Sequence, residues 1–188
     1  MPSASVSSSE LDIDRFRRWA LGNLVDNRNR GLFAEWLVGE ALGVIDEATP
    51  RREWDAYDLM YRETKIEIKA SGRSQSWSQE RPSTIRFGIE QRSSSWTAAS
   101  DEWIPHDQPV RFADVYVFCL HEPVAATNDD VADPTQWTFW VVSTKVLDQA
   151  LGSQKSVGIR TLDRLASPIA WSDIRKEVDA CVDSQQSI

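Results

Sequence analysis

Lys65-Ile66-Glu67-Ile68-Lys69-Ala70-Ser71 alternates charged or polar residues with apolar ones at almost every step. Side chains on a β-strand point to opposite faces in turn. Read as a strand, the stretch puts Ile66, Ile68 and Ala70 on one face and Lys65, Glu67, Lys69 and Ser71 on the other. The apolar face anchors the strand in a core. The other face offers a carboxylate and an ammonium side by side. A solvated strand face carries such pairs without any function, so the surrounding residues decide what this one means.

Asp58 lies nine positions before Glu67. That separation accommodates a preceding strand and a turn near Arg62-Glu63-Thr64, and a hairpin of that length brings the two carboxylates together. Close carboxylates repel, which raises a pKa unless a cation lies between them. A hard divalent ion removes the conflict, and magnesium takes one or two carboxylates together with substrate phosphate. The competing reading is that Asp58 caps a turn. Asp55 is the rival ligand, but Asp58 precedes the apolar pair Leu59-Met60, which suits a strand leaving a site.

Glu35 is the third acidic residue of interest. On a helix over 30–42 its neighbours at three, four and seven positions are Gly31, Leu32, Val38, Gly39 and Leu42. A lone carboxylate on so apolar an arc is costly to bury and must face a partner. Lys69 or the hydration shell of an ion would serve; the competing reading is a purely structural ion pair. Glu40 falls on the polar side and reads as surface.

Outward from these residues the chain has the order of an α/β protein with a mixed central sheet flanked by helices. Helices are expected over 11–25, 30–42, 144–151 and 171–182, with Gly43 stopping the second. Strands are expected over 84–91, 115–120 and 137–143. The middle one is apolar throughout, as in a strand buried on both faces. Residues 93–109 and 122–135 read as loops. The domain is expected over 10–183, with a Ser-rich disordered tail over 1–9 and a short tail over 184–188. Cys119 reads as a buried small hydrophobe. His106 and His121 are not spaced as a metal pair and read as surface or loop.

The arrangement of helical Glu35, then Tyr57-Asp58-Leu59, then Ile66-Glu67-Ile68-Lys69-Ala70-Ser71 resembles the PD-(D/E)XK nuclease superfamily, which has the restriction-endonuclease-like fold. The resemblance covers roughly 29–143 and rests on a short, degenerate motif. Tyr57 stands where the family name has Pro. It implies a core of helix, three-strand meander, helix and further strand, with 115–120 as that last strand. It also implies that Asp58, Glu67 and the backbone carbonyl of Ile68 bind a Mg²⁺ ion, with Mn²⁺ as a substitute. Lys69 would activate the attacking water, and Glu35 would hold the ion or its water from the helix. The implied activity is hydrolysis of a phosphodiester, as by a DNA endonuclease.

The net charge of −8 argues against a general nucleic-acid coat protein. It leaves room for an enzyme with a local basic groove. Residues 73–92 carry Arg73, Arg81, Arg86 and Arg92 against Glu80 and Glu90, and hold Trp77. Arg on phosphate and aromatics on unpaired bases are the parts of such a groove. Arg73, Arg81, Arg86, Gln79 and Ser71 are therefore the candidate substrate contacts, against the plainer reading of a solvated loop. Most of the nine Trp residues are expected to fill the core. No secretory signal or membrane span is legible, so a cytoplasmic protein is expected. Cutting both strands of DNA with one small site takes two copies, so a homodimer is expected. Two alternatives stay open: an RNA-directed nuclease, and a silent domain of the same fold that binds nucleic acid or protein.

Overall fold

Arg62 and Glu63 form a two-residue turn, both with positive φ (47° and 65°). This backbone matches the twist of a tight hairpin. It joins β1 (Leu59–Tyr61) to β2 (Thr64–Gly72) antiparallel, with Leu59 opposite Ile66 and Tyr61 opposite Thr64. In β2, Ile66 and Ile68 are buried while Lys65 is exposed, as alternation requires. This computed structural model describes residues 11–46, 48, 49, 51, 55–74, 84–96, 101–123 and 127–186.

Strand β2 then pairs in parallel with β6 (Val115–His121), which pairs antiparallel with β7 (Trp137–Ser143). The result is a mixed four-stranded sheet in the order β1-β2-β6-β7. All seven residues of β6 are buried. One sheet face, with Ile66, Ile68, Val115, Val117, Phe139 and Val141, packs on α2 (Asn27–Leu42) and α6 (Ile174–Gln186). The opposite face, with Tyr116, Phe118, Leu120, Trp140 and Val142, packs on α4 (Thr144–Leu151) and α5 (Ile159–Leu165). The molecule is thus α/β, with helices on both faces of a mixed sheet. No helix among the described residues is long and apolar enough to cross a membrane.

Helix α2 is positioned with little freedom. The Asp26 side chain caps it by accepting from the Arg28 N–H at 3.0 Å. Gly43 ends it in the left-handed region, φ 70°, donating to the Glu40 carbonyl. Arg30 is buried and donates to the carbonyls of Val25 (3.3 Å) and Ser74 (2.9 Å) and to Asn27. A Cβ on Gly72 would lie 2.6 Å from that guanidinium. The bare glycine therefore lets α2 seat its arginine against the end of β2.

Several expectations are corrected. Helix α1 is shorter, Ile13–Leu21, and buries no residue. Its apolar stripe faces outward, with Trp19 82% exposed. Of 84–91 only β3 (Phe87–Gly88) is ladder-paired, to β8 (Ser156–Val157), although Ile85, Phe87 and Ile89 are all buried. Most of 93–109 is no loop: β4 (Arg92–Trp96) and β5 (Trp103–Val110) form an antiparallel hairpin, with Trp96 opposite Trp103. No helix lies between β2 and β6 among the described residues, where the resemblance implies one. The segment 122–135 holds a short helix, α3 (Asn128–Ala132), whose Val131 is fully buried. The last helix continues to Gln186. His121 is fully buried against the Trp137 ring, 4.9 Å between centroids, and burial lowers its pKa. His106 is half-buried, with its Nε2 3.0 Å from the Ser95 hydroxyl.

Arg111 fastens the α4 side of the sheet. Its side chain is wholly buried and ion-pairs with Asp148. It also donates to the carbonyls of Ile89 (2.8 Å), Gly152 (2.9 Å) and Gln154 (3.1 Å). Arg111→Ala strands these acceptors. The substitution is expected to cost about 3 kcal/mol of stability, read as a lower urea midpoint; an unchanged midpoint would contradict the role given to Arg111.

Candidate active site

The β1–β2 register extends one step past the ladder. Asp58 stands across from Glu67, its N–H donating to the Ile66 carbonyl at 3.0 Å. There the backbone of β1 leaves the sheet, and the side chain takes over: Asp58 Oδ2 accepts the Ile68 N–H at 2.7 Å. The carboxyl thus replaces the missing strand partner instead of capping a turn. A strand residue directs its N–H and C=O to the same edge. The Ile68 carbonyl therefore opens toward Asp58.

Glu67 and Lys69 are ion-paired on the adjacent face, with side chains 12% and 29% exposed. Asp58 is half-buried, and its pKa is pushed up to about 7. Burial is the largest cause, followed by the charges of Glu67 and Glu35; the Ile68 N–H and Lys69 oppose the shift. Glu35, Asp58, Glu67 and Lys69 are thus electrostatically linked. Glu35 reaches the group from α2, on the other side of the sheet edge. Its partner is Arg51, not Lys69: two of the guanidinium nitrogens, Nε and an Nη, donate to the carboxylate, one at 2.9 Å. Glu35 has a counter-ion, but it is half-buried and that counter-ion comes from an unforeseen segment. Glu40 is exposed.

The group sits between two clefts. One, about 490 Å³, is bordered by Glu35, Arg51, Asp55 and Asp58, with Asp46 and Thr49 at its far side. The other, about 290 Å³, is bordered by Glu67, Lys69, Tyr116, Arg92 and Arg111. Among the described residues no three His, Cys, Asp or Glu side chains converge as a metal cage. What the edge offers is a smaller all-oxygen set: Asp58 and Glu67, opposite in register across the hairpin, and the Ile68 carbonyl. Magnesium, which keeps several waters, suits so sparse a set.

The expected substrate contacts do not gather here. Ser71 is half-buried on β2, one alternate position beyond Lys69. Arg73 is ion-paired with Glu122, and Arg86 donates to the Ser156 hydroxyl at 2.8 and 3.0 Å. Both border a separate cleft with Arg160. Gln79, Arg81 and Trp77 lie outside the described residues. Tyr116, Arg92 and Arg51 were not singled out as site residues. Period-2 reading of β6 would have put Tyr116 on one face, but the parallel pairing that sets it beside Glu67 is long-range.

No protein-family model matches the chain, and no curated protein matches it.

Asp58 gives the site a pH signature. Its folded pKa, about 7, lies above its ordinary 3.8. The folded state therefore binds the extra proton. The stabilisation is complete below about 3.8 and is lost as pH rises through about 7. Metal-free protein should melt at a lower temperature at about pH 8 than at about pH 5. Asp58→Asn should remove that part of the pH dependence; a variant with the wild-type slope would refute the assignment.

Proposed function

We propose that the chain is a Mg²⁺-dependent phosphodiesterase acting on nucleic acid, DNA in the first instance. The observation that carries this reading is Asp58 facing Glu67 across the hairpin, with Lys69 on the strand face of Glu67. The resemblance of the Asp58, Glu67, Ile68 and Lys69 pattern to the PD-(D/E)XK superfamily supports it, as does the mixed sheet with Glu35 on a flanking helix.

Asp58, Glu67 and the Ile68 carbonyl would hold the ion, which would polarise the phosphate and lower the pKa of a water. Asp58 must give up its proton to bind a cation, so affinity should rise as pH rises through about 7. Glu67 holds the Lys69 ammonium in place. Lys69 pairs with Glu67 and acts electrostatically on Asp58, and it is suited to orient the attacking water and balance negative charge on the phosphate. Arg51 ion-pairs with Glu35, whose charge still adds to the repulsion at Asp58.

The same internal ion pairing of Glu35 and Glu67 favours the second reading, a silent binding domain. Nicking of supercoiled plasmid separates the two. Wild type with Mg²⁺ or Mn²⁺ should nick, and Asp58→Ala and Lys69→Ala should each lose about 100-fold or more in rate. Equal activity in all three proteins, or none across varied DNA and RNA, refutes the enzyme. Single-stranded and RNA substrates in the same assay distinguish DNA-directed from RNA-directed cleavage.

A further inference from the structure

We infer that substrate phosphate is seated in the cleft between β2 and the β4–β5 hairpin, held by the Tyr116 hydroxyl and the Arg92 guanidinium; this rests on the phosphodiesterase reading. Tyr116 is the register partner of Glu67 on the neighbouring parallel strand, so both side chains lie on one face. Adjacent strands are about 4.8 Å apart. The Tyr116 ring is 4% exposed and stacked on Phe118, 5.9 Å between centroids, and it lines the cleft with Glu67 and Lys69. A tyrosine phenol carries its proton at neutral pH and can donate it in a hydrogen bond. A neutral O–H beside a carboxylate can donate to a phosphate oxygen without disturbing the Glu67–Lys69 pair.

Arg92 supplies the charge. The other cations lining the cleft are already committed: Lys69 to Glu67, Lys155 to Glu90, and Arg111 to Asp148 and three carbonyls. Arg92 is exposed and has no carboxylate partner among the described residues. It opens β4 at a register irregularity between Arg92 and Ser94. Bulges of this kind re-aim side chains next to sites. Arg73, by contrast, is paired, and it lies six residues along from Glu67, about 20 Å at strand spacing. An acidic protein needs its phosphate contact close to the metal-binding carboxylates, and Arg92 with Tyr116 provides one.

The test is fluorescence anisotropy of a labelled DNA duplex with Ca²⁺ in place of Mg²⁺, over a salt series, beside the cleavage assay. Arg92→Ala should weaken binding about 5- to 10-fold and lower the slope of log K against log salt by about 1. Tyr116→Phe, which keeps the ring and its packing, should weaken binding about 5-fold with an unchanged slope. Lys176→Ala, on the exposed side of α6, controls for net charge. Wild-type binding by either Arg92→Ala or Tyr116→Phe overturns the seat, as does a loss at Arg86→Ala with none at Arg92→Ala, or no binding by wild type. A wild type that cleaves while these variants bind normally leaves the phosphodiesterase standing and this inference refuted. A wild type that binds through both residues yet cleaves nothing does the reverse.

Discussion

The hydrogen bond from the Ile68 N–H to the Asp58 carboxyl ties the candidate site to the fold. A sheet edge that loses its partner strand leaves backbone donors unsatisfied, and a buried donor without an acceptor costs about 1–3 kcal/mol. Strand β1 is only three residues long, so β2 runs on past it. Asp58 fills the gap with a side-chain oxygen. That single substitution of side chain for backbone fixes the carboxyl opposite Glu67 and leaves the Ile68 carbonyl directed to the same edge. It also holds an acid in a place poor in water, where its charge is disfavoured.

The electrostatics follow from this placement. Three carboxyls act on one another electrostatically around the start of β1, and the protein answers each differently. Glu35 receives Arg51, Glu67 receives Lys69, and Asp58 receives only a neutral N–H and keeps its proton to about pH 7. Uneven division of this kind occurs at functional sites and in structural ion networks alike. The imbalance is local, and it sits where two clefts meet.

How much of this the sequence disclosed depended on the range of the interaction. Strand β2 was legible because its alternation is local, and the Asp58–Glu67 pairing because a two-residue turn fixes its register. Gly43 marked the end of α2 through its own backbone preference. The β4–β5 hairpin was not legible. Its strands hold Ser93-Ser94-Ser95 and Pro105, and β5 is exposed at every position but the half-buried His106, so no hydrophobic period betrays it. Helix α1 misled in the opposite sense, with a regular apolar stripe that meets no core. Arg51 was hidden because nothing in its surroundings is periodic, and Tyr116 because its neighbour Glu67 is 49 positions away across a parallel pair.

The sheet's two faces account for the division of labour between the clefts. On the α2 face, apolar contacts run from Ile66 and Ile68 to Ala34, Leu37 and Val38, and only at the sheet edge does Glu35 emerge. On the α4 face, the core stops short of β2: Tyr116 is its last large side chain, and Glu67 and Lys69 lie beyond it. A polar pocket between a closed core and a hairpin is stable only if its charges are mostly paired, because unpaired charges in a narrow space are costly. Lys69, Lys155 and Arg111 meet that condition. Arg92 escapes it by lying exposed, where water solvates it. The pocket's cation without a carboxylate partner among the described residues is therefore the one that solvent can reach.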